Sequence, residues 1–244
     1  MSPLARLSLA LLATLLPLGA QTLVYSQPVV GGASFPYLLV SQGTEYGSAI
    51  RLSGTDRDVQ SATVAVYSDV ARTATITLSL YAAIPEDRGY PPTGSISPLT
   101  GLRPADTPLW TSGPLNLSLA SDGPTNQALN QLIFSGINTL VPTDIFWAIT
   151  FSNVTSSASG NFGPKFGDPA NASPTGALND PGQLYQRDPD TSNGDWVPST
   201  LFDQGGNVPN ESLGFALTAV PEPSVPVLVA GITVFGFIGR RRRA

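Results

Sequence analysis

The side chains able to do chemistry in this chain carry oxygen. Histidine and cysteine are both absent. That removes Ser-His-Asp and Cys-His nucleophiles, imidazole- or thiolate-bound zinc and iron, and disulfide stapling. Carboxylate chemistry, oxygen-ligated calcium or no catalysis remain. The densest oxygen-rich stretch is Asp188-Pro189-Asp190-Thr191-Ser192-Asn193-Gly194-Asp195-Trp196. Asp188, Asp190, Asn193 and Asp195 could serve calcium, but the glycine falls one position late for the EF-hand order and no closing bidentate Glu follows. A series of Asx-turns accounts for the same residues. Carboxylates also sit together at Glu86-Asp87 and at Asp56 with Asp58. A glycosidase needs two acids facing each other across the scissile bond, whereas neighbours in a loop read as solvated turn residues. No catalytic residue is assigned, and the expectation is a protein that is not an enzyme. Two loop aromatics, Tyr185 and Trp196, could stack on sugar rings; this makes a carbohydrate-binding module the alternative, with a carboxylate glycoside hydrolase behind it.

The elements that would position these residues are strands. Ala74, Ile76, Leu78 and Leu80 alternate with Thr73, Thr75, Thr77, Ser79 and Tyr81, the period of two that puts one face in a core and the other in water. Ala62, Val64 and Val66 repeat the pattern, and Leu115, Leu117 and Leu119 alternate with Asn116 and Ser118. Ile145, Trp147, Ile149 and Phe151 form the bulkiest such set, so this strand is expected at the centre of the core, with Trp147 inside. Phe215 and Leu217 close the series. Strands near Leu23 and Leu217 are expected to pair side by side. No stretch between Gln21 and Ala219 keeps helical periodicity, and 24 glycines and 23 prolines punctuate the chain. Many short strands with turn-rich joins predict an all-β fold, a β-sandwich of jelly-roll type. Residues 161–203 lack pattern and are expected to form a long loop.

Both ends are apolar and differ in kind. Residues 1–20 combine Arg6 near the amino terminus, a Leu/Ala run and Gly19-Ala20, the three parts of a secretory signal peptide cleaved after Ala20. Residues 21–219 form the exported domain. They hold seven basic and sixteen acidic residues, a net charge of −9, which gives no electrostatic reason to seek nucleic acid. Stability must come from burial alone. At the other end, nine of the fifteen residues 225–239 are Val, Leu, Ile or Phe, worth roughly 3–5 kcal/mol of insertion, a modest value for a short span. Arg240, Arg241, Arg242 and Arg243 follow, and moving them through hydrocarbon would cost on the order of 10 kcal/mol. They are expected to stay in the cytoplasm, leaving the domain outside. Pro221 and Pro223 fix φ and hold Val220 and Glu222 extended, so an enzyme at the membrane would meet an accessible peptide.

Val220-Pro221-Glu222-Pro223-Ser224, the short span at 225–239 and the arginines at 240–243 together resemble the PEP-CTERM sorting signal of bacterial exported proteins. The resemblance implies a membrane-embedded exosortase as processing partner, removal of the tail, and a place at the cell surface or in the matrix of exopolysaccharide-producing, biofilm-forming bacteria. It covers residues 220–244 and implies a route, with no activity attached. Within the domain, Glu45-Tyr46-Gly47, the run from Ile50 to Arg57, Ser79-Leu80-Tyr81 and the run from Asp144 to Ile149 resemble landmarks of the exported β-domains called choice-of-anchor domains. That likeness implies a sandwich in an extracellular setting, with no active site and no cofactor to carry over.

Overall fold

A computed structural model describes residues 21–27, 41–85, 102–121, 130–155, 162–165, 177–178, 184–188, 194–198 and 214–220. The signal-peptide residues 1–20, Pro221 to Ser224, the span 225–239 and Arg240 to Arg243 lie outside them, as do Glu86, Asp87, Asp190 and Asn193.

Every element among the described residues is a strand. In chain order they are β1 (Thr22–Gln27), β2 (Glu45–Arg51), β3 (Asp58–Ser68), β4 (Arg72–Pro85), β5 (Leu102–Pro104), β6 (Trp110–Thr111) and β7 (Leu115–Leu119). Then follow β8 (Asn130–Leu140), β9 (Asp144–Thr155), β10 (Phe162–Pro164), β11 (Ala177–Leu178), β12 (Leu184–Arg187), β13 (Val197–Pro198) and β14 (Phe215–Val220). All pairings are antiparallel and fall into two sheets. The smaller runs β1-β14-β3-β8, with β10 on the end of β3. The larger runs β13-β12-β2-β9-β4, and β7, β6 and β5 take successive lengths of the outer edge of β4.

Period-two alternation explains which faces meet. Ala74, Ile76, Leu78 and Leu80 of β4, Ile145, Trp147, Ile149 and Phe151 of β9, and Tyr46 and Ile50 of β2 project from the larger sheet into one buried cluster. Val59, Ala62, Val64 and Val66 of β3, Leu132 and Phe134 of β8, and Phe215, Leu217 and Ala219 of β14 meet them from the smaller sheet. At its centre Trp147 lies flat on Phe215, ring centroids 4.2 Å apart and planes 4° from parallel. This offset contact contributes about 0.5–1.5 kcal/mol beyond the area it buries. Trp147 is in the core as its alternation predicts, and β9 is central, flanked by β2 and β4. The set Leu115, Leu117 and Leu119 grades from exposed to buried along β7, an edge strand paired with β4.

The expected pairing of the first and last strands is present. Thr22 lies opposite Ala219 and Gln27 opposite Phe215. On its other side β14 pairs with β3 as far as Val220 opposite Asp58. An interior strand therefore carries the chain to the end of the described domain.

Two expectations need correction. The outer face of the larger sheet is not uniformly wet: Tyr81, Phe146, Ala148 and Ala49 on that face are fully buried. The expected long loop at 161–203 also carries strands: its described residues contribute β10, β11, β12 and β13. These strands are two to four residues long, too short for alternation to register.

Candidate functional site

Among the described residues the densest polar cluster lies on that outer face, where β12 extends the sheet beside β2 and Trp196, just before β13, packs against Tyr81 of β4. β12 pairs with β2 along its whole length, setting Tyr185 opposite Gly47 and Arg187 opposite Glu45. A Cβ on Gly47 would lie 2.7 Å from the Trp147 carbonyl oxygen and 2.9 Å from the Ala148 Cβ. Only glycine lets β2 and β9 approach so closely under the added layer. Tyr185 packs edge-on to Phe146 at 5.4 Å, and Trp196 packs edge-on to Tyr81 at 5.3 Å. Both Tyr185 and Trp196 are 0 % exposed.

Above the rings sits a charged cluster. The Glu45 carboxylate is 9 % exposed and that of the Arg187 guanidinium 25 %. Arg187 donates from Nε (3.1 Å) and Nη2 to Glu45 Oε2, and from Nη2 to the Tyr81 hydroxyl oxygen at 2.7 Å. Tyr81 in turn donates to Glu45 Oε1 at 2.7 Å. The guanidinium plane covers Trp196 (4.8 Å to the ring centroid) and Tyr81 (5.4 Å). A pair removed from water this far is tolerable because its donors and acceptors are matched and a π-face adds attraction. Burial, then the Glu45 charge and hydrogen bond, push the Tyr81 hydroxyl well above the ordinary tyrosine value, so it remains a proton donor.

Beside this cluster an open groove of about 320 Å³ is lined by Gly43, Glu45, Thr150, Arg187 and Gly194. Glu45 and Thr150 are direct neighbours across β2 and β9. The groove joins a carboxylate, a guanidinium held over the Trp196 ring and a hydroxyl, an arrangement suited to holding a polar molecule.

No family model, curated protein or solved structure matches the chain. The site is therefore read from its own residues.

The sequence-predicted residues fare differently. Tyr185 and Trp196 are brought together with Tyr81 and Phe146, but as packing. Their expected role as surface sugar platforms is corrected, since fully covered rings present no face to a ligand. The physical reason is that β12 adds to the sheet edge and turns both rings onto apolar surface left by Ala49, Phe146 and Ala148. Of the four calcium candidates, Asp190 and Asn193 lie outside the described residues, Asp195 is exposed and Asp188 half-buried. Among the described residues no group of three acidic side chains gathers as a metal site would require. Asp56 belongs to a turn whose carbonyls are collected by Arg57, through Asp56 O at 2.8 Å and Gly54 O at 2.8 Å. Asp58 opens β3, opposite Val220. Of the sorting motif, Val220 is described, as the last residue of β14.

The landmark stretches prove architectural. Arg51 and Asp144 form a two-pronged ion pair, Nε to Oδ1 at 2.6 Å and Nη2 to Oδ2 at 2.8 Å, tying the end of β2 to the start of β9. Glu45 and Tyr81, from two others, supply half of the buried cluster. Nothing in the sequence pattern assigns Arg187 or Thr150 to a site. A lone arginine inside a turn-rich stretch carries no local sign of a partner 142 residues away.

Proposed function

We propose that this chain is a non-catalytic exported bacterial protein, delivered by a signal peptide at 1–20 and held by the span at 225–239. An exosortase then trims it at the Pro221-Glu222-Pro223 motif. Its final place is the cell surface or the exopolysaccharide matrix of a biofilm. The observation that carries this reading is the β1–β14 pair. With Thr22 opposite Ala219, the chain enters and leaves the domain at the same end of one sheet. Two membrane-directed segments with cytoplasmic charges, Arg6 and Arg240 to Arg243, suit such an exit toward a single bilayer. Val220 is the last paired residue, and Pro221, lacking an N–H, is a natural end to a ladder. Removing everything beyond it leaves all the described pairings intact.

The domain itself we read as a jelly-roll sandwich. In its favour, the chain changes sheet at nearly every long strand. This yields the orders β1-β14-β3-β8 and β2-β9-β4-β7 that two interleaved Greek keys generate. A carbohydrate-binding role is the second reading, and the groove beside Glu45 and Arg187 is what favours it.

Orientation can be tested by a single label. The chain has no cysteine, and Ile133 on edge strand β8 is 69 % exposed, so Ile133→Cys creates one accessible thiol. A membrane-impermeant maleimide should label it in intact spheroplasts. Labelling only after lysis would contradict export.

A further inference from the structure

We propose that the groove lined by Gly43, Glu45, Thr150, Arg187 and Gly194 is a binding site for a short stretch of neutral polysaccharide. The inference rests on the matrix reading above and gives it a ligand class. Volume comes first: about 320 Å³ lies at the lower end of the roughly 300–1,000 Å³ typical of small-molecule sites.

Its floor is built to stay clear. Gly43 and Gly194 have φ of +82° and +78°, and a Cβ at either would point into open space. Both left-handed positions favour glycine, and their bare backbone lets a ligand approach closely. The walls are polar and fixed. Glu45 Oε1 accepts one hydrogen bond from Tyr81 and has a second lone pair to offer. Arg187 Nη1 makes one 3.3 Å bond to the Asp106 carbonyl oxygen and carries a second N–H. The Thr150 hydroxyl can donate or accept, and Thr150 is half-buried on the rigid central strand. Acceptor, donor and hydroxyl in one small groove match the hydroxyl groups of a pyranose ring. Because Arg187 is clamped by Glu45, Tyr81 and the Trp196 face, little side-chain entropy is lost on binding.

Charge selects among saccharides. Glu45 and Arg187 cancel locally, while residues 21–219 carry a net −9. An anionic polysaccharide would meet that field, and among the described residues lining the groove the one cation, Arg187, is already paired with Glu45. Uncharged rings meet no such penalty. Trp196 and Tyr81 act from beneath, as the support that holds Arg187 in place, and Trp196 and Tyr185 are not stacking platforms.

The test uses the full chain in detergent, titrated calorimetrically with neutral hexasaccharides (cello-, manno-, xylo- and galacto-) and with hexagalacturonate. At least one neutral hexasaccharide should bind, with hexagalacturonate weaker by about tenfold or more. Thr150→Phe, which fills the groove with a residue well suited to a strand, should abolish binding. Thr150→Val, which removes one hydroxyl at constant shape, should weaken it about three- to tenfold. Unfolding midpoints of both variants show whether the fold is kept; should Thr150→Phe fail to fold, Thr150→Val decides. Absence of binding to every neutral probe, stronger binding of hexagalacturonate, or unchanged affinity in folded Thr150 variants would overturn the site. Sorting is read separately, from labelling and from the trimmed ends, so a failed groove leaves that reading standing.

Discussion

The two faces of the larger sheet are buried by different means. On the inner face, side chains of β2, β4 and β9 meet a second sheet in a large apolar cluster centred on Trp147 against Phe215, which also includes Phe162 under the buried Arg72 guanidinium. On the outer face a narrow strap, Tyr185 of β12 and Trp196 just before β13, does the covering; the Arg187 guanidinium, paired with Glu45, lies over Trp196 and Tyr81. A core shared by two sheets is held chiefly by the apolar area it buries. A strap a few residues wide buries too little area to hold by apolar contact, and here it is fastened by an ion pair in which Arg187 Nε and Nη2 both donate to Glu45 Oε2, by a tyrosine hydroxyl and by a cation–π contact.

That contrast makes graded predictions. Trp147→Ala should cost about 3–5 kcal/mol of global stability, seen as a large drop in the denaturant midpoint with unfolding still cooperative. Trp196→Ala removes a ring of the same size and equal burial, yet the account expects local damage. Amides and protease sites in 184–198 should open while the global midpoint moves by less than in Trp147→Ala. Equal global losses in the two variants would erase the distinction between core and strap. Glu45→Gln keeps the shape but leaves Arg187 without its counter-charge; a loss of about 1–3 kcal/mol is expected, again concentrated in strap protection measured by hydrogen exchange.

The smallest effect is in pH. Tyr81 holds its proton more tightly folded than unfolded, so its contribution is complete below the ordinary tyrosine value of about 10. It is lost as pH rises beyond that value, because the unfolded chain then releases the proton first. Tyr81→Phe should lower stability by about 0.5–1.5 kcal/mol at neutral pH and flatten the alkaline decline. An alkaline slope unchanged in Tyr81→Phe would assign it to another group.

The same contrast explains how much could be read from the sequence. Ala74 to Tyr81 and Ile145 to Ser152 announce strands because both faces follow a strict period, and the inner cluster follows from listing one parity. The pairing of β1 with β14 was legible because apolar alternation recurs at each end of the domain. The outer cluster was not. Tyr81 and Phe146 occupy the parity that normally faces water, and their cover comes from a Gly-, Pro- and Asp-rich stretch whose strands are too short for periodicity. Composition marked Tyr185 and Trp196 as loop residues, and loop residues are usually exposed; pairing of β12 with the β2 edge overrode that tendency. Arg187 and Glu45 meet through tertiary structure alone.

The central claim is the route: a domain outside the membrane whose two chain ends, side by side at Thr22 and Ala219, are both trimmed. Intact mass spectrometry of the protein recovered from its native host tests this most directly. The account predicts a species beginning within a few residues of Gln21 and ending before residue 225, with any group attached at the cut adding to that mass. A polypeptide recovered from cytosol at the full mass of residues 1–244 would contradict it.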